Sequence, residues 1–249
     1  MIEVIKSIIF GIVEGITEWL PISSTGHMIL LNEFLKLDVS EEFYSVFEVV
    51  IQLGAIIAVV LLFWKQIFPF GKTDKPISKK GLLSYVNKDI MILWCKILVA
   101  CVPAAIIGVL FSDTFDALFY NYQTVAISLI VFGIAFIIIE EKHKGKEAKI
   151  NSLKELSYKL CIYIGIFQLI AAIFPGTSRS GATIVGALLL GVSRTVAAEF
   201  TFFLAIPVMF GASLLKIVKY GLAFTSSEIV ILLVGMVTAF IVSIIVIKF

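Results

Sequence analysis

The sequence predicts an all-α polytopic membrane protein that forms one helical bundle, and its composition is the first observation behind this. Of its 249 residues, 60% are hydrophobic and 15% are charged, and the mean hydropathy is +1.07. These values lie well outside the range of water-soluble globular domains. Apolar segments recur along the chain, several of them near the twenty residues that a helix needs to cross a bilayer. The net charge of only +2 gives no indication of a nucleic-acid partner.

The first half of the chain opens with an apolar segment that is interrupted by polar residues. We expect a helix over residues 2–20, ended by Pro21, then the polar run 23–27 and a short apolar arm over 28–35. Three membrane spans are predicted to follow, over 43–64, 90–111 and 125–139.

The second half opens with an apolar segment that is interrupted in a similar way. Residues 175–183, Pro-Gly-Thr-Ser-Arg-Ser-Gly-Ala-Thr, separate apolar runs over 160–174 and 184–190. These runs are too short to cross a bilayer separately, and an arginine at the bilayer centre costs roughly 2.5–3.5 kcal/mol. We interpret the segment as a broken, re-entrant element that lines a polar cavity; an ordinary extramembrane loop is the alternative. Two spans, over 196–218 and 229–247, complete the chain.

The two interruptions match each other, which predicts an internal repeat. Pro21 and Pro175 are 154 positions apart, and several polar residues match at the same spacing. The matching pairs are Glu14 with Gln168, Ser23 with Thr177, Ser24 with Ser178 and Gly26 with Ser180; Glu48 and Glu199 match at nearly this spacing. Broken helices at matching positions are typical of folds that bind a ligand near the bilayer midplane.

Charge in the connecting loops predicts how the two halves are related. The basic loops 65–88 and 140–159 are expected in the cytoplasm, and the acidic loop 112–121, with Asp113 and Asp116, outside. The first broken element then enters from outside and the second from inside. We therefore expect one transmembrane domain over 1–249, made of inverted repeats over about 1–140 and 153–249, with breaks that meet near the midplane.

The repeat count also predicts a difference between the halves. The first half has a broken element and three spans, whereas the second has a broken element and two. We expect that a sixth, C-terminal span is absent from this sequence, either by truncation or naturally. An exposed apolar face on one of the last two spans is expected where that helix would pack.

Acidic and nucleophilic residues near the first break suggest catalysis. Glu14 and Glu18 are four residues apart, so on a helix they share one face. Two such carboxylates repel each other unless a cation or a proton lies between them, and their oxygens suit Mg²⁺ or Ca²⁺. His27 is a candidate general base or acid near neutrality. Ser24 is a candidate nucleophile.

The second break carries groups that suit phosphate oxygens. Arg179 supplies a forked donor, and the hydroxyls of Ser178, Ser180 and Thr183 lie beside it in sequence. A helix that starts near Ser180 adds N–H groups and a favourable dipole. Helix capping is an equally good explanation for the hydroxyls of Ser23, Thr25, Thr177 and Ser180. Glu48 and Glu199 are either further metal ligands or structural partners of the broken helices.

These segments resemble a known family. Glu-Gly-Ile-Thr-Glu-Trp-Leu-Pro-Ile-Ser-Ser-Thr-Gly-His at 14–27 and the run at 175–183 are similar to the two signature segments of the bacterial undecaprenyl-pyrophosphate phosphatases of the bacitracin-resistance type (UppP/BacA). The segments around Glu48 and Glu199 are also similar. The resemblance covers essentially the whole chain. Family members similar to this one end in a further membrane helix, which agrees with the span that the repeat count finds missing.

The resemblance implies an activity and a location. It implies hydrolysis of undecaprenyl pyrophosphate to the monophosphate carrier lipid and phosphate, with a divalent cation, at a cavity open to the outer face of the bacterial plasma membrane. The acidic motif maps onto Glu14 and Glu18, the proposed nucleophile onto Ser24, the histidine onto His27 and the phosphate-binding arginine onto Arg179. The expected partners are the lipid substrate and the bilayer; a homodimer is left open.

The residues allow two alternatives for the mechanism and two for the function. Either Ser24, activated by His27, or a water in its place attacks the terminal phosphorus. A transporter of a polyprenyl phosphate lipid is the alternative function, because inverted repeats fit it equally well. The co-located carboxylates, imidazole, hydroxyl and guanidinium favour chemistry over transport.

Overall fold

Helices account for nearly all the regular structure in the computed structural model, which describes residues 1–78, 81–221 and 223–249. The α-helices are α1 Ile2–Thr17, α2 Ser24–Phe34, α3 Glu41–Val50, α4 Gln52–Leu62, α5 Trp64–Ile67, α6 Lys88–Phe119, α7 Tyr122–His143, α8 Tyr158–Ile173, α9 Arg179–Leu189, α10 Arg194–Tyr220 and α11 Ser226–Lys248. Short 3₁₀ turns occur at Leu82–Tyr85 and Leu153–Glu155. Of the basic loop residues, Lys79 and Lys80 lie outside the described residues.

The five membrane spans that the sequence predicts are present. Within the described ranges, five helical segments are long and apolar enough to cross a membrane: Glu41–Leu62, Lys88–Phe111, Tyr122–His143, Arg194–Tyr220 and Ser226–Lys248. The first is α3 and α4 taken together, with a turn at Ile51. The prediction of an all-α polytopic membrane protein is therefore confirmed.

The prediction of an acidic loop over 112–121 is wrong for most of that segment. Helix α6 continues through Asp113 and Asp116 to Phe119. Residues 109–119 contain no glycine or proline, so nothing in the sequence ends the helix there. Asn121 then starts α7 by accepting a hydrogen bond from the backbone N–H of Thr124 at 2.9 Å.

The breaks lie close to the predicted positions, with shifted helix ends. Helix α1 ends at Thr17 instead of 20, and its hydroxyl donates back to the Val13 carbonyl at 2.7 Å. Helix α2 begins at Ser24 and helix α9 at Arg179, one residue before the expected start near Ser180. Each start follows a serine whose hydroxyl caps the helix, which is the position that serine prefers.

Two glycines allow a broken-element helix to pack tightly against a spanning helix. A Cβ on Gly11 of α1 would lie 2.6 Å from the Gly235 carbonyl oxygen of α11, and one on Gly165 of α8 would lie 2.2 Å from the Ala100 carbonyl oxygen of α6. Small residues at such contacts let helix backbones approach closely in membranes. Gly11 and Gly165 are themselves 154 positions apart. This correspondence supports the inverted repeat, which stays a prediction.

The two basic loops lie at the same end of the bundle. Asp89, at the start of α6, pairs with Lys75 of the first loop at 2.9 Å and with Lys154 of the second at 2.8 Å. Its hydrogen bond raises the pKa of the Lys75 ammonium. The buried Lys96 of α6 also donates to the carbonyl oxygens of Leu153 and Lys154, at 3.2 and 3.0 Å. Both loops therefore share one side of the membrane, as the charge pattern predicts.

Candidate active site

The two breaks meet inside the bundle. The hydroxyl of Ser180 in the second break donates to the carbonyl oxygen of Leu20 in the first, at 3.3 Å. A Cβ on Gly26 would lie 3.3 Å from the Cα of Gly176. Segments far apart in the sequence are thus in backbone contact, as the sequence predicts.

Glu18 connects the two breaks through both of its oxygens. Its Oε1 accepts a charge-assisted hydrogen bond from Arg179 Nη2 at 2.6 Å, and its Oε2 accepts one from Ser24 Oγ at 2.5 Å. The Glu18 side chain is 7% exposed and the Arg179 side chain 15% exposed. One carboxylate therefore holds the candidate nucleophile and the candidate phosphate-binding group.

The backbone of the first break is strained where it presents Ser24. Ser23 has φ +65°, a value that residues other than glycine rarely adopt, and the hydroxyl of Ser23 accepts from Gly26 N–H at 3.1 Å. Residues held in this region cost free energy and concentrate at functional sites. In the second break the positive φ falls one position before the counterpart of Ser23, on Gly176 at φ +91°, where a Cβ would lie 2.7 Å from the Val125 carbonyl oxygen.

The two helices after the breaks begin at the site. Ser24 is the first residue of α2 and Arg179 is the first residue of α9. Ser178 caps α9 by accepting from Gly181 N–H at 3.0 Å, and its hydroxyl lies 3.0 Å from that of Ser180. The positive ends of both helix dipoles therefore favour an anion at this point.

A cavity of about 520 Å³ opens onto these groups. Predicted site residues contribute much of its wall. Those that line it are Glu18, Ser23, Ser24, Glu48, Ser178, Arg179 and Ser180. Ala171, Ala172, Val208 and Met209 supply apolar wall. The cavity therefore combines the polar groups that a phosphate needs with an apolar surface that suits a lipid.

The charges along the cavity do not by themselves favour a polyanion. Three carboxylates, those of Glu18, Glu41 and Glu48, line it together with two cations, Arg179 and Lys216. Glu48 also accepts a hydrogen bond from the Tyr120 hydroxyl. A pyrophosphate group would meet more negative than positive side chains here, which agrees with the prediction of an additional cation.

Glu14 is a candidate ligand for such a cation, although it is not one of the described residues that line the cavity. Its side chain is fully buried, and neither carboxylate oxygen has a hydrogen-bond partner. A buried polar group without a partner points to an ion or water that the protein binds. Within the described ranges, no three His, Cys, Asp or Glu side chains converge as a ready-made metal site. Carboxylate oxygens are the ligands that a hard divalent cation prefers, and the binding of one by Glu14 and Glu18 stays a prediction.

His27 does not contact the Ser24 hydroxyl in this structure, because that hydroxyl donates to Glu18 instead. The imidazole Nδ1 of His27 lies 2.7 Å from the carbonyl oxygen of Ser23, one turn earlier in α2. His27 is also not among the described residues that line the cavity. The imidazole is therefore placed to hold the strained Ser23 backbone, and its part in catalysis stays a prediction.

Two further predicted residues are not among the described residues that line the cavity. Thr183 is fully buried, and its hydroxyl contacts the carbonyl oxygens of Arg179 and Ser180 and the hydroxyl of Thr201. Glu199 is half-buried on α10 and is likewise not one of the described cavity-lining residues. Their roles in binding phosphate and metal stay predictions.

Sequence reasoning missed several polar residues of the cavity, among them Glu41, Ser45, Tyr120 and Lys216. Lys216 lies in the span Arg194–Tyr220, and its Nζ donates to Ser45 Oγ at 2.8 Å. An ionisable residue inside an apolar span is a signal that could have found it. Tyr120 and Ser45 carry no such signal, because hydroxyls near the end of a span are common and their partners depend on how the helices pack.

Comparison with known proteins places the chain in a family. The sequence model described as "Bacitracin resistance protein BacA" matches residues 7–249. "Undecaprenyl-diphosphatase 1" of Clostridium acetobutylicum is 64% identical over 248 residues, covering 100% of this chain and 88% of that relative. "Undecaprenyl-diphosphatase" of Desulfitobacterium hafniense is also 64% identical, over 100% of this chain and 87% of that relative. The resemblance that the two signature segments suggest is therefore confirmed: this chain belongs to the family of the bacitracin resistance protein BacA.

Proposed function

We propose that this protein is an integral-membrane phosphatase that hydrolyses undecaprenyl pyrophosphate to undecaprenyl phosphate and inorganic phosphate. The observation that carries the proposal is the Ser24–Glu18–Arg179 arrangement at the meeting point of the two breaks. It brings a hydroxyl, a proton acceptor and an anion-binding group together inside a membrane-embedded cavity. The names of the relatives favour a phosphatase over the alternative of a transporter.

The terminal phosphate of the substrate binds at the start of α9. Arg179, the hydroxyls of Ser178 and Ser180 and the helix dipole act together on its oxygens. One arm of the guanidinium is held by Glu18. Bound phosphate competes with Glu18 for that arm, and loss of the ion pair makes the Glu18 carboxylate, whose Oε2 already accepts from Ser24, a better proton acceptor.

Ser24 then attacks the terminal phosphorus. The bond from phosphorus to the bridging oxygen breaks, undecaprenyl phosphate leaves with that oxygen, and the Ser24 proton passes to Glu18 Oε2. Water next attacks the phosphoserine, both of its protons leave with the released phosphate as H₂PO₄⁻, and Ser24 Oγ takes its proton back from Glu18. Arg179 meets negative charge that spreads over the equatorial oxygens during both transfers.

Direct attack by water is the alternative route. In that case Glu18 accepts a proton from the water and Ser24 only orients it or the substrate. The two routes share every binding group and differ in one product, a covalent phosphoserine. Rapid quenching with substrate labelled in its terminal phosphate distinguishes them.

A divalent cation, Mg²⁺ or Ca²⁺, completes the proposed site. Glu14 and Glu18 would hold it, and when bound it neutralises pyrophosphate oxygens. The protein groups keep their assigned tasks: Arg179 binds phosphate, Ser24 attacks and Glu18 accepts the proton.

The test is phosphate release from the purified protein in detergent, with undecaprenyl pyrophosphate as substrate. We expect release of one phosphate per lipid, loss of release on adding EDTA, and recovery with Mg²⁺ or Ca²⁺. A protein that binds the lipid but leaves the pyrophosphate intact under all these conditions would contradict the proposal.

The proposal includes location in the bacterial plasma membrane with the cavity open to the outer face. The shared side of the two basic loops supports this, because loops rich in lysine stay in the cytoplasm. Cysteines introduced at Pro76 and Gly145 are expected to resist a membrane-impermeant reagent in intact cells. Labelling of both positions from outside would show that the protein has the opposite orientation in the membrane. A homodimer stays a prediction that chemical cross-linking in membranes can test.

A further inference from the structure

Lys216 brings a second cation into the cavity, in a different part of it from Arg179. Its Nζ donates to Ser45 Oγ at 2.8 Å, and both residues line the cavity. Ser45 lies in the second turn of α3, and Lys216 lies one turn before the end of α10 at Tyr220. These are the ends of two spans, so this part of the cavity is its mouth, close to a membrane surface.

The two cations are too far apart to bind one pyrophosphate group together. Arg179 reaches α10 at the Thr201 carbonyl, and Lys216 lies fifteen residues further along the same helix. At the helical rise of 1.5 Å per residue this is about 22 Å along the axis. Val208, Met209 and Ala212 line the wall between them. The Arg179 guanidinium already contacts Thr201, so only the Lys216 side chain can shorten this gap, and its reach does not bring the two cations onto one pyrophosphate group.

A lysine near a helix end can also reach the surface merely to keep its charge in water. Lys219, which is exposed and does not belong to the described lining of the cavity, fits that account. Lys216 differs, because its ammonium turns to Ser45 inside the cavity. A cationic donor held next to a hydroxyl is a suitable pair for a phosphate oxygen.

We propose that Lys216 and Ser45 form a phosphate-binding station at the cavity mouth, separate from the reaction centre. The proposal rests on the proposed function: the phosphate is either that of the lipid headgroup on its way in or inorganic phosphate on its way out. Glu41 lines the same mouth. Its negative charge weakens the station, which lets a phosphate move on instead of staying there.

The test compares Lys216→Gln, Lys216→Arg and Lys219→Gln in detergent, by measuring the KM for the pyrophosphate lipid and the inhibition constant of inorganic phosphate. We expect Lys216→Gln to raise at least one of them about tenfold, as loss of a charge-assisted hydrogen bond predicts. Lys216→Arg should restore most of the loss. Lys219→Gln, which removes the same charge outside the mouth, should resemble the unmodified protein.

The pattern of change identifies the source of the phosphate. A rise in KM alone means that the station receives the headgroup, and a rise in the inhibition constant alone means that it passes the product. Glu41→Gln is expected to move the same constant in the opposite direction. Unchanged constants in Lys216→Gln, even with a lower melting temperature, would overturn the proposal and leave Lys216 a packing contact of α3 and α10.

Direct binding of inorganic phosphate keeps this test independent of the reaction. Phosphate is expected to raise the melting temperature of the unmodified protein, and less so for Lys216→Gln. If the unmodified protein releases no phosphate from the lipid, the proposed function fails, and the binding measurement still decides about the station. Equal phosphate-dependent shifts in both proteins would count against it.

Discussion

Glu18 and Arg179 are separated by 161 residues in sequence and joined by a 2.6 Å ion pair at the centre of the bundle. Each is positioned by a helix end, Glu18 at the end of α1 and Arg179 at the start of α9. The pair therefore ties the two breaks together, and its carboxylate also orients Ser24. Removal of the ion pair should affect both the stability of the fold and the rate of phosphate release, and the two effects can be measured separately.

Replacing Glu18 by glutamine tests the ion pair. Loss of one partner leaves the Arg179 charge buried and uncompensated, which costs about 3–5 kcal/mol for a buried pair. We expect a clear drop in melting temperature and nearly complete loss of phosphate release. Glu42→Gln is the matched control, since Glu42 is exposed and is not one of the described cavity-lining residues. An unchanged melting temperature in Glu18→Gln would mean that the ion pair does not stabilise the contact between the two breaks.

Arg179→Lys separates charge from geometry. Lysine keeps the charge but cannot present two parallel N–H groups to a phosphate. We expect at least about a tenfold fall in activity, roughly 1.4 kcal/mol of transition-state stabilisation, mainly in kcat. The control is Arg194→Lys, because Arg194 pairs with Glu140 at the surface. Near-normal turnover of a folded Arg179→Lys protein would show that two parallel N–H groups on Arg179 are not needed to bind the phosphate.

Ser24→Ala tests the nucleophile. If Ser24 forms a covalent intermediate, we expect a loss of at least about a hundredfold in kcat and no phosphorylated protein after rapid quenching. Ser178→Ala provides the comparison, as Ser178 lines the same cavity and caps α9. It should weaken phosphate binding but still form the labelled intermediate. A modest loss in Ser24→Ala with no intermediate in the unmodified protein would favour attack by water.

Glu14→Gln tests the metal. The amide keeps the size of the buried side chain but removes its charge, so we expect the Mg²⁺ or Ca²⁺ activation curve to shift to higher concentration by about tenfold or more. The variant should fold at least as well as the parent, because burying an unpaired carboxylate is costly. An unshifted activation curve would exclude Glu14 as a ligand and favour a role in proton transfer.

Gly165→Ala tests the tight helix contact in α8. The added Cβ would lie 2.2 Å from the Ala100 carbonyl oxygen, so α6 and α8 must separate. We expect a destabilisation of about 1–3 kcal/mol, as for other overpacked contacts, and the same direction for Gly11→Ala. Gly133→Ala in α7, where a Cβ meets nothing within 4 Å, is the control. A melting temperature equal to that of Gly133→Ala would show that the contact yields easily.

The sequence predicts the spans because apolar length is a local property, and it predicts the meeting of the breaks because the repeat and the loop charges fix how the two halves are oriented. It predicts some helix ends poorly: α6 runs past Phe111 to Phe119, since acidic residues alone do not end a helix. The sequence suggests that His27 activates the Ser24 hydroxyl, whereas in the structure this hydroxyl donates its hydrogen bond to Glu18. Which of two nearby acceptors a hydroxyl takes depends on the turn at Ser23, whose positive φ no local pattern reveals.

The ion pair also sets a condition on how the protein is made. Glu14 and Glu18 enter the membrane with the first helix, and Arg179 is synthesised 161 residues after Glu18. At a synthesis rate of about 5–20 residues per second, roughly 10–30 s pass between the synthesis of Glu18 and that of Arg179. During that interval the nascent first half holds charges that the bilayer disfavours. A chain that stalls before α9 is therefore expected to be a substrate for membrane quality control, and separately expressed halves should survive only together.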